Sequence, residues 1–575
     1  METLSIPRPR KRAFLPEEFK VTVWSKLKPY FNDLINREID STAALERWLL
    51  DWSELDAVIA ESFSWRYIKV SVNSADQKAA ELYQYAVQEL APKIDGFEDQ
   101  LNHKLVSSPY LDSLNPEKYF THIRGVKNAL HLFRQENVEL STEVQMKSKA
   151  YVKLFSEMTI GVNGNQMTLN RASSLLEECD RSHREVVYHK IHQKLIGHTD
   201  ELDDLFDELL QFRHQIALNA GFDNYRDYKF QSLGRFDYTV QDCFDFHESI
   251  KREILPVVDS LNEYRKTALG LDTLRPWDLH VDPIGGVPLK PFQDVDELVD
   301  KSAVCLSKLN PLFGDVVELM REMGHLDLEA RPGKKPGGYN MPLLMTGVPF
   351  VFMNASQSLS DLRTFMHESG HAIHSYLIRD YKIRTVKRVP SEVSELAAMS
   401  MELLSMGQWD VFFPKEEDLK RAKFYQLEYV LKVLPWIAII DKFQHWLYTH
   451  PGHSKEERKV EWKRIFREFN SGLVDHSGLD HYLDHLWHKQ LHIFEVPFYY
   501  IEYGLAQLGA IAIWKRFMQH PEQAMADYIA ALQLGYSKPI KEIYARAGIA
   551  FDFSPTYVSD IVSFVKGELQ QLIEK

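Results

Sequence analysis

Phe365-Met366-His367-Glu368-Ser369-Gly370-His371 carries two histidines four residues apart, with a glutamate beside the first. On a helix, residues i and i+4 stand on one face with their Cβ atoms about 6 Å apart, so both imidazoles can close on one ion. Neutral imidazole suits zinc, and in the His-Glu-x-x-His arrangement the glutamate is placed to act as base toward water. At about 100° per residue, Leu362, Phe365, Met366, Ala372, Ile373 and Leu377 gather on one half of the cylinder. His367, His371 and His374 fall on the other half. The stretch therefore predicts a helix with a packing face and a chemical face. Ser358 or Ser360 is its expected N-cap, with Asp361 favoured in the first turn by the helix dipole.

Two histidines leave a catalytic zinc short of its usual third protein ligand. His374 shares the face but lies about 10 Å along the axis from His367, too far for joint ligation. A returning helix after Pro390 carries Ser391, Glu392, Glu395 and Glu402 on roughly one side. Glu392 and Glu395 sit one turn apart, and helical geometry leaves both eligible. Just upstream, Pro336-Gly337-Gly338-Tyr339-Asn340 leads into two expected strands, Met341 to Thr346 and Pro349 to Met353, joined by a turn at Gly347. Glycines there permit another chain to approach the backbone, so an edge strand near Gly338 and Tyr339 is a candidate for pairing with an extended peptide.

The remainder reads as mainly α. Leu45, Trp48, Leu49, Trp52 and Leu55 recur at helical spacing, and the same periodicity runs through most of the chain. A continuous helix is expected near Val295 to Met323. Asn163-Gly164 between short apolar runs signals a hairpin. Arg275 to Pro291 is rich in proline and glycine and is expected to be irregular. His247-Glu248 begins like the opening motif, but Lys251 stands where the second histidine is needed. His481, His485, His488 and His492 follow a spacing that would align them on one helical face; a second metal site is one reading of that stripe, and a channel wall or polar packing face is the simpler one.

With 575 residues, 45% hydrophobic and 26% charged, the chain has the composition of a folded protein with a substantial core. A net charge of -14 without a basic stripe argues against nucleic acid as a partner. Cys179, Cys243 and Cys305 are far apart and lack CxxC spacing, which predicts neither a disulfide framework nor a cysteine zinc site and suits the cytoplasm. No apolar run is long enough for a membrane span. Met1 to Pro16 is basic and proline-rich without a secretory h-region, and is expected to be a loosely held arm.

His367-Glu368-Ser369-Gly370-His371-Ala372-Ile373-His374, followed by Glu395-Leu396-Ala397-Ala398-Met399-Ser400-Met401-Glu402, resembles the oligoendopeptidase F branch of the thimet oligopeptidase family. So do Ala220 to Tyr228, Arg275 to Asp278 and the segment from His492 to Gly504. The resemblance implies a large helical zinc-metallopeptidase fold with a deep substrate channel and a small β element beside the active site. It implies one Zn2+ held by His367, His371 and Glu395, with Glu402 orienting an imidazole or packing in the core. Glu368 is the implied general base. His492, Tyr500 and Tyr503 are implied to bind the substrate backbone and developing oxyanion, with Tyr499, Gly338 and Tyr339 contacting substrate. A helical region over 1–190 and a catalytic domain over 191–575 are expected. The implied reaction is hydrolysis of internal bonds of short peptides. A peptidyl-dipeptidase or carboxypeptidase with the same zinc chemistry, and a non-catalytic helical scaffold, are the alternatives. Oligomeric state is not legible.

Overall fold

The computed structural model describes residues 11–283 and 286–574. Residues 1–10 of the basic N-terminal segment, and 284–285 of the proline- and glycine-rich stretch, lie outside the described residues. Part of the expected arm is tied down: the Ala13, Phe14 and Leu15 N–H groups all donate to the Glu54 carboxylate. Helices dominate, and the described strands are β1 (Thr159–Val162), β2 (Asn165–Thr168), β3 (Leu326–Glu329), β4 (Tyr339–Met341) and β5 (Phe350–Ala355). Backbone contacts divide the chain into two units, one of Met1–His131, Lys290–Leu419 and Gly509–Phe551, the other of Leu132–Leu289, Lys420–Leu508 and Asp552–Lys575. The boundary expected after residue 190 falls inside the helix Arg181–Ile196 of the second unit.

In the first unit, the helix Thr42–Val72 starts at Ser41, whose side chain accepts from the Ala44 N–H. It buries Leu45, Trp48, Leu49, Trp52 and Leu55 against Leu27, Phe31 and Leu34 of the helix Trp24–Asn36. Each such side chain contributes about 1.5–3 kcal/mol of transfer free energy, and the Trp48 indole N–H meets the Leu34 carbonyl at 2.8 Å, so no polar atom is sacrificed. The three-stranded sheet has the order β3-β5-β4, β3 parallel and β4 antiparallel to β5, which leaves β4 at an edge. The expected strand at 341–346 therefore lies earlier, at Tyr339–Met341. Pro342 has no N–H to extend the ladder, and farther along the Met345 and Thr346 N–H groups turn to the Glu61 carboxylate at 2.6 and 2.8 Å. Strand β3 was not anticipated, although Leu326-Asp327-Leu328-Glu329 alternates. The helix expected over 295–323 is two, Val295–Leu309 and Pro311–Glu322, because Asn310 caps the second and Pro311 occupies its first turn.

In the second unit, β1 and β2 form the expected antiparallel hairpin, with Asn163 at φ 50° and Gly164 at φ 81°, the left-handed pair that a tight hairpin turn requires. Helices follow, including Val240–Ser249 and, from Lys420 onward, the helix Glu416–Thr449. Asp278 is fully buried and paired at 2.9 Å with both Arg181 and Arg184, so the Arg275 to Asp278 segment is an internal anchor. The histidine stripe does not lie on one helix. His481 lies in Asp480–Leu483, His485 in the break that follows, His488 in a tight turn at Leu486–Lys489 and His492 in Leu491–Glu495, where Trp487 and Phe494 stack in the core and His488 bonds Asp203.

Candidate active site

The helix Leu359–Leu377 begins with a reciprocal cap: Ser358 Oγ accepts from the Asp361 N–H at 3.1 Å, and Asp361 Oδ2 accepts from the Ser358 N–H at 2.9 Å. Its apolar half buries Leu362, Phe365, Met366, Ala372 and Ile373 as expected. His374 is buried too and stands apart from the metal-ligating group. Against this helix lies Ser391–Ser405. Gly370 makes the approach possible, since a Cβ there would come 2.7 Å from both Ala397 O and Ala398 Cα. The second helix is in turn held by Tyr528 Oη, which donates to Ala397 O at 2.7 Å, and by Tyr544 Oη, which donates to Glu392 O at 3.0 Å.

This packing brings the ligating atoms of His367, His371 and Glu395 within 4.8 Å of one another. His367 Nε2 lies 3.3 Å and His371 Nε2 3.8 Å from Glu395 Oε2. Tetrahedral zinc with bonds of 2.0–2.1 Å separates its ligand atoms by about 3.3 Å, so the donor set fits that ion. Glu392, which geometry on paper left eligible, is not in the group. Behind the imidazoles, His367 Nδ1 is 2.8 Å from Glu402 Oε1 and His371 Nδ1 is 3.1 Å from Ser394 Oγ. With zinc bound, donation from Nδ1 would leave each Nε2 lone pair free for the ion. Burial opposes protonation of His367, but its bonds to Glu395 and Glu402 outweigh this and hold its pKa well above the ordinary value.

Glu368 is 7% exposed, and its Oε2 has no hydrogen-bond partner. Burial first, then Glu395 and Glu402, push its pKa up to about 7, with His367 opposing. Strand β4 joins the same assembly, because Asn340 Nδ2 donates to the Glu368 carbonyl at 3.2 Å. Tyr339 stacks on Phe352 at 4.8 Å, and a Cβ on Gly338 would approach Phe352 O to 3.2 Å. Neither Ser394 nor Asn340 was singled out from sequence: a lone hydroxyl or amide becomes visible only when the neighbouring element is in register.

The other predicted residues cluster in the second unit. His492 lies 4.7 Å from Tyr500, 5.8 Å from Tyr503 and 6.0 Å from Tyr499, ring centre to ring centre. Gln490 Nε2 contacts His492 Nδ1 at 2.7 Å while Trp436 donates to Gln490 Oε1 at 2.9 Å. Buried Arg213 donates to the Ile493 carbonyl at 3.0 Å and to that of Phe494, fixing the histidine's backbone. Phe498 adopts φ 67°, a left-handed conformation costly for an aromatic residue. It is held there by Gln444 Oε1 on its N–H at 2.8 Å and by Arg235 on its carbonyl, and Arg235 also pairs with Glu502 at 2.8 Å.

Residues 174–561 match the model of peptidase family M3, and residues 14–133 match the peptidase M3 N-terminal domain. The chain belongs to peptidase family M3. Family membership makes it a metalloendopeptidase of the oligopeptidase kind. Among M3 relatives, the oligoendopeptidase F homolog of Borreliella burgdorferi is 23% identical over 430 residues, covering 71% of this chain and 69% of the relative. The plasmid-encoded oligoendopeptidase F of Lactococcus lactis subsp. cremoris is 22% identical over 428 residues, covering 71% and 67%. The solved structure of PZ peptidase A with an inhibitor superposes with a TM-score of 0.90 at 27% identity, covering 96% of this chain and 99% of that one. No helix among the described residues is long and apolar enough to cross a membrane.

Proposed function

We propose that this M3 chain is a cytoplasmic oligoendopeptidase with one catalytic Zn2+ that cuts internal bonds of short peptides, with His367, His371 and Glu395 as ligands and Glu368 as general base. The observation that supports it most is the convergence of both Nε2 atoms on Glu395 Oε2, at 3.3 and 3.8 Å, with a hydrogen-bonding group behind each imidazole. When bound, zinc supplies Lewis acidity to the scissile carbonyl and lowers the pKa of water toward about 7. Glu368 Oε2 accepts the proton of the attacking water and passes it to the leaving amine. Glu402 and Ser394 keep the two imidazoles oriented. The edge of β4 at Gly338 and Tyr339 offers backbone groups to an extended peptide. His492, Tyr500 and Tyr503 donate hydrogen bonds to the carbonyl oxygen as it gains charge, and Tyr499 contacts the substrate beside them.

The test is cleavage of a length series of quenched peptides, read by mass spectrometry with and without a chelator. Internal cuts that stop on chelation and return with zinc are the expected result. Cuts only at a terminus would replace the endopeptidase reading by an exopeptidase, and full activity of Glu368→Gln would remove Glu368 as the base.

A further inference from the structure

Two buried histidines outside the active site, His247 and His445, belong to a second set of metal-type donors in the second unit. Cys243 and His247 stand four residues apart on the helix Val240–Ser249, and Asp441 and His445 four residues apart on Glu416–Thr449. Each pair shares one helical face, and the two faces meet. The ligating atoms of Cys243, Asp441 and His445 lie within 4.8 Å of one another. His247 Nε2 and His445 Nε2 both contact Asp441 Oδ2, at 2.9 and 3.1 Å. All four side chains are buried, with Asp441 at 0% exposure.

Asp441 has no lysine or arginine partner among the described ion pairs; its contacts are the two histidines, and nearby Lys442 is spent on Glu468 at 2.7 Å. Asp441 Oδ1 has no hydrogen-bond partner. A buried carboxylate with an unmatched oxygen is costly unless a cation meets it. We propose that Cys243, His247, Asp441 and His445 form a second, structural zinc site that clamps these two helices together. A thiolate, a carboxylate, two neutral imidazoles and Zn2+ sum to zero charge, which suits a dry interior; on binding, the thiol proton and any imidazolium proton leave to solvent. His247 Nε2 touches Asp441 but lies outside the set of atoms within 4.8 Å of one another, so its ring must move inward to complete a tetrahedron, and the two imidazole–carboxylate contacts must lengthen to about 3.3 Å. Half-exposed Phe244, whose ring touches both imidazoles, places the cluster one side chain below the surface. A third group, Asp203, His485 and His488, is the weaker candidate because Arg458 already meets Asp203 at 3.2 Å and supplies the counter-charge.

Sulfur distinguishes this site from the His367 centre, which has none. The full chain is loaded with Co2+ and compared with Cys243→Ser. A thiolate-to-cobalt charge-transfer band in the near ultraviolet, present in the parent and lost in Cys243→Ser, is expected. No band in the parent, or a band that persists in Cys243→Ser, overturns the proposal. Zinc analysis gives the second reading: the parent should carry one ion per chain more than Cys243→Ser, and equal contents overturn it. Peptide cleavage, which depends on the His367 centre, is followed separately and distinguishes failure of this site from failure of that one.

Discussion

His367 Nδ1 lies 2.8 Å from Glu402 Oε1, so the first imidazole of the metal helix is gripped from behind by a carboxylate that is itself 5% exposed. Such a partner fixes the tautomer and raises the basicity of the ligating nitrogen. Glu402→Ala should weaken zinc binding about 10–100-fold, the range for loss of an outer partner, while Glu402→Gln, which keeps an acceptor, should lose less. Competition with a graded chelator series measures both.

The third ligand is tested by a pair of variants one turn apart. Glu395 sits with the two Nε2 atoms, whereas Glu392 lies outside that group on the same helix. Glu395→Ala should release the zinc of the His367 centre and abolish cleavage, lowering the zinc content by one ion per chain, and Glu392→Ala should keep that ion through dialysis. Metal analysis of the two purified proteins, with the opposite pattern expected if Glu392 were the ligand, decides between them.

Gly370 controls how closely the metal helix and the carboxylate helix approach. Gly370→Ala would place a Cβ 2.7 Å from Ala397 O and Ala398 Cα and 3.0 Å from Met401 Cβ. Backbone atoms on the receiving side cannot swing away, so the helices must separate. Overpacking of this kind costs about 1–3 kcal/mol, and the separation moves Glu395 from His367. A lowered denaturation midpoint accompanied by weaker zinc retention is expected, measured on the same preparation.

The metal helix was legible because the periodicity that places two histidines on one face also sets its apolar face, and both are local. Glu395 was not legible from geometry alone: choosing it over Glu392 depends on how the returning helix is rotated, which Gly370 and the anchors Tyr528 and Tyr544 decide. The stripe from His481 to His492 shows the converse error, since spacing assumes a continuous helix and the chain breaks twice to bury Trp487 and Phe494. On its own helix His247 has Lys251 where a second imidazole would stand. Its actual partners, Asp441 and His445, are almost two hundred positions away and come into view only where two helices face each other.

Acid should destabilise the fold through histidines buried in their neutral form. Burial pushes His122, with Arg384 adding to the effect, and His192 down to about 4. In the unfolded chain they titrate near 6.5. Between those values the unfolded chain holds protons that the folded one refuses, so stability is complete above about pH 6.5 and falls as pH drops toward 4. At pH 5 the loss is about 2 kcal/mol for each residue. Urea midpoints at pH 7 and pH 5 test this: the double variant His122→Gln, His192→Gln should show a smaller pH 7 to pH 5 difference than the parent, whatever its stability at pH 7.

Phe498 ties the geometry of the tyrosine segment to a single amide. Its left-handed φ of 67° persists because Gln444 accepts from its N–H at 2.8 Å and Arg235 donates to its carbonyl. Gln444→Ala leaves that buried N–H unpaired, at a cost of about 1–3 kcal/mol. The strained turn then has reason to relax, and Tyr499 and Tyr500, the next two residues, lose their aim. Gln444 is not among the groups around His367, His371 and Glu395, so zinc at that centre should be unchanged, while the proposed role of Tyr500 as an oxyanion donor predicts a fall in kcat of about tenfold, short of the about 10²–10³-fold that deletion of such a donor costs. Zinc analysis beside steady-state kinetics separates this from a general loss of fold: reduced zinc together with reduced kcat would show that the segment is not acting through its own aim at the substrate.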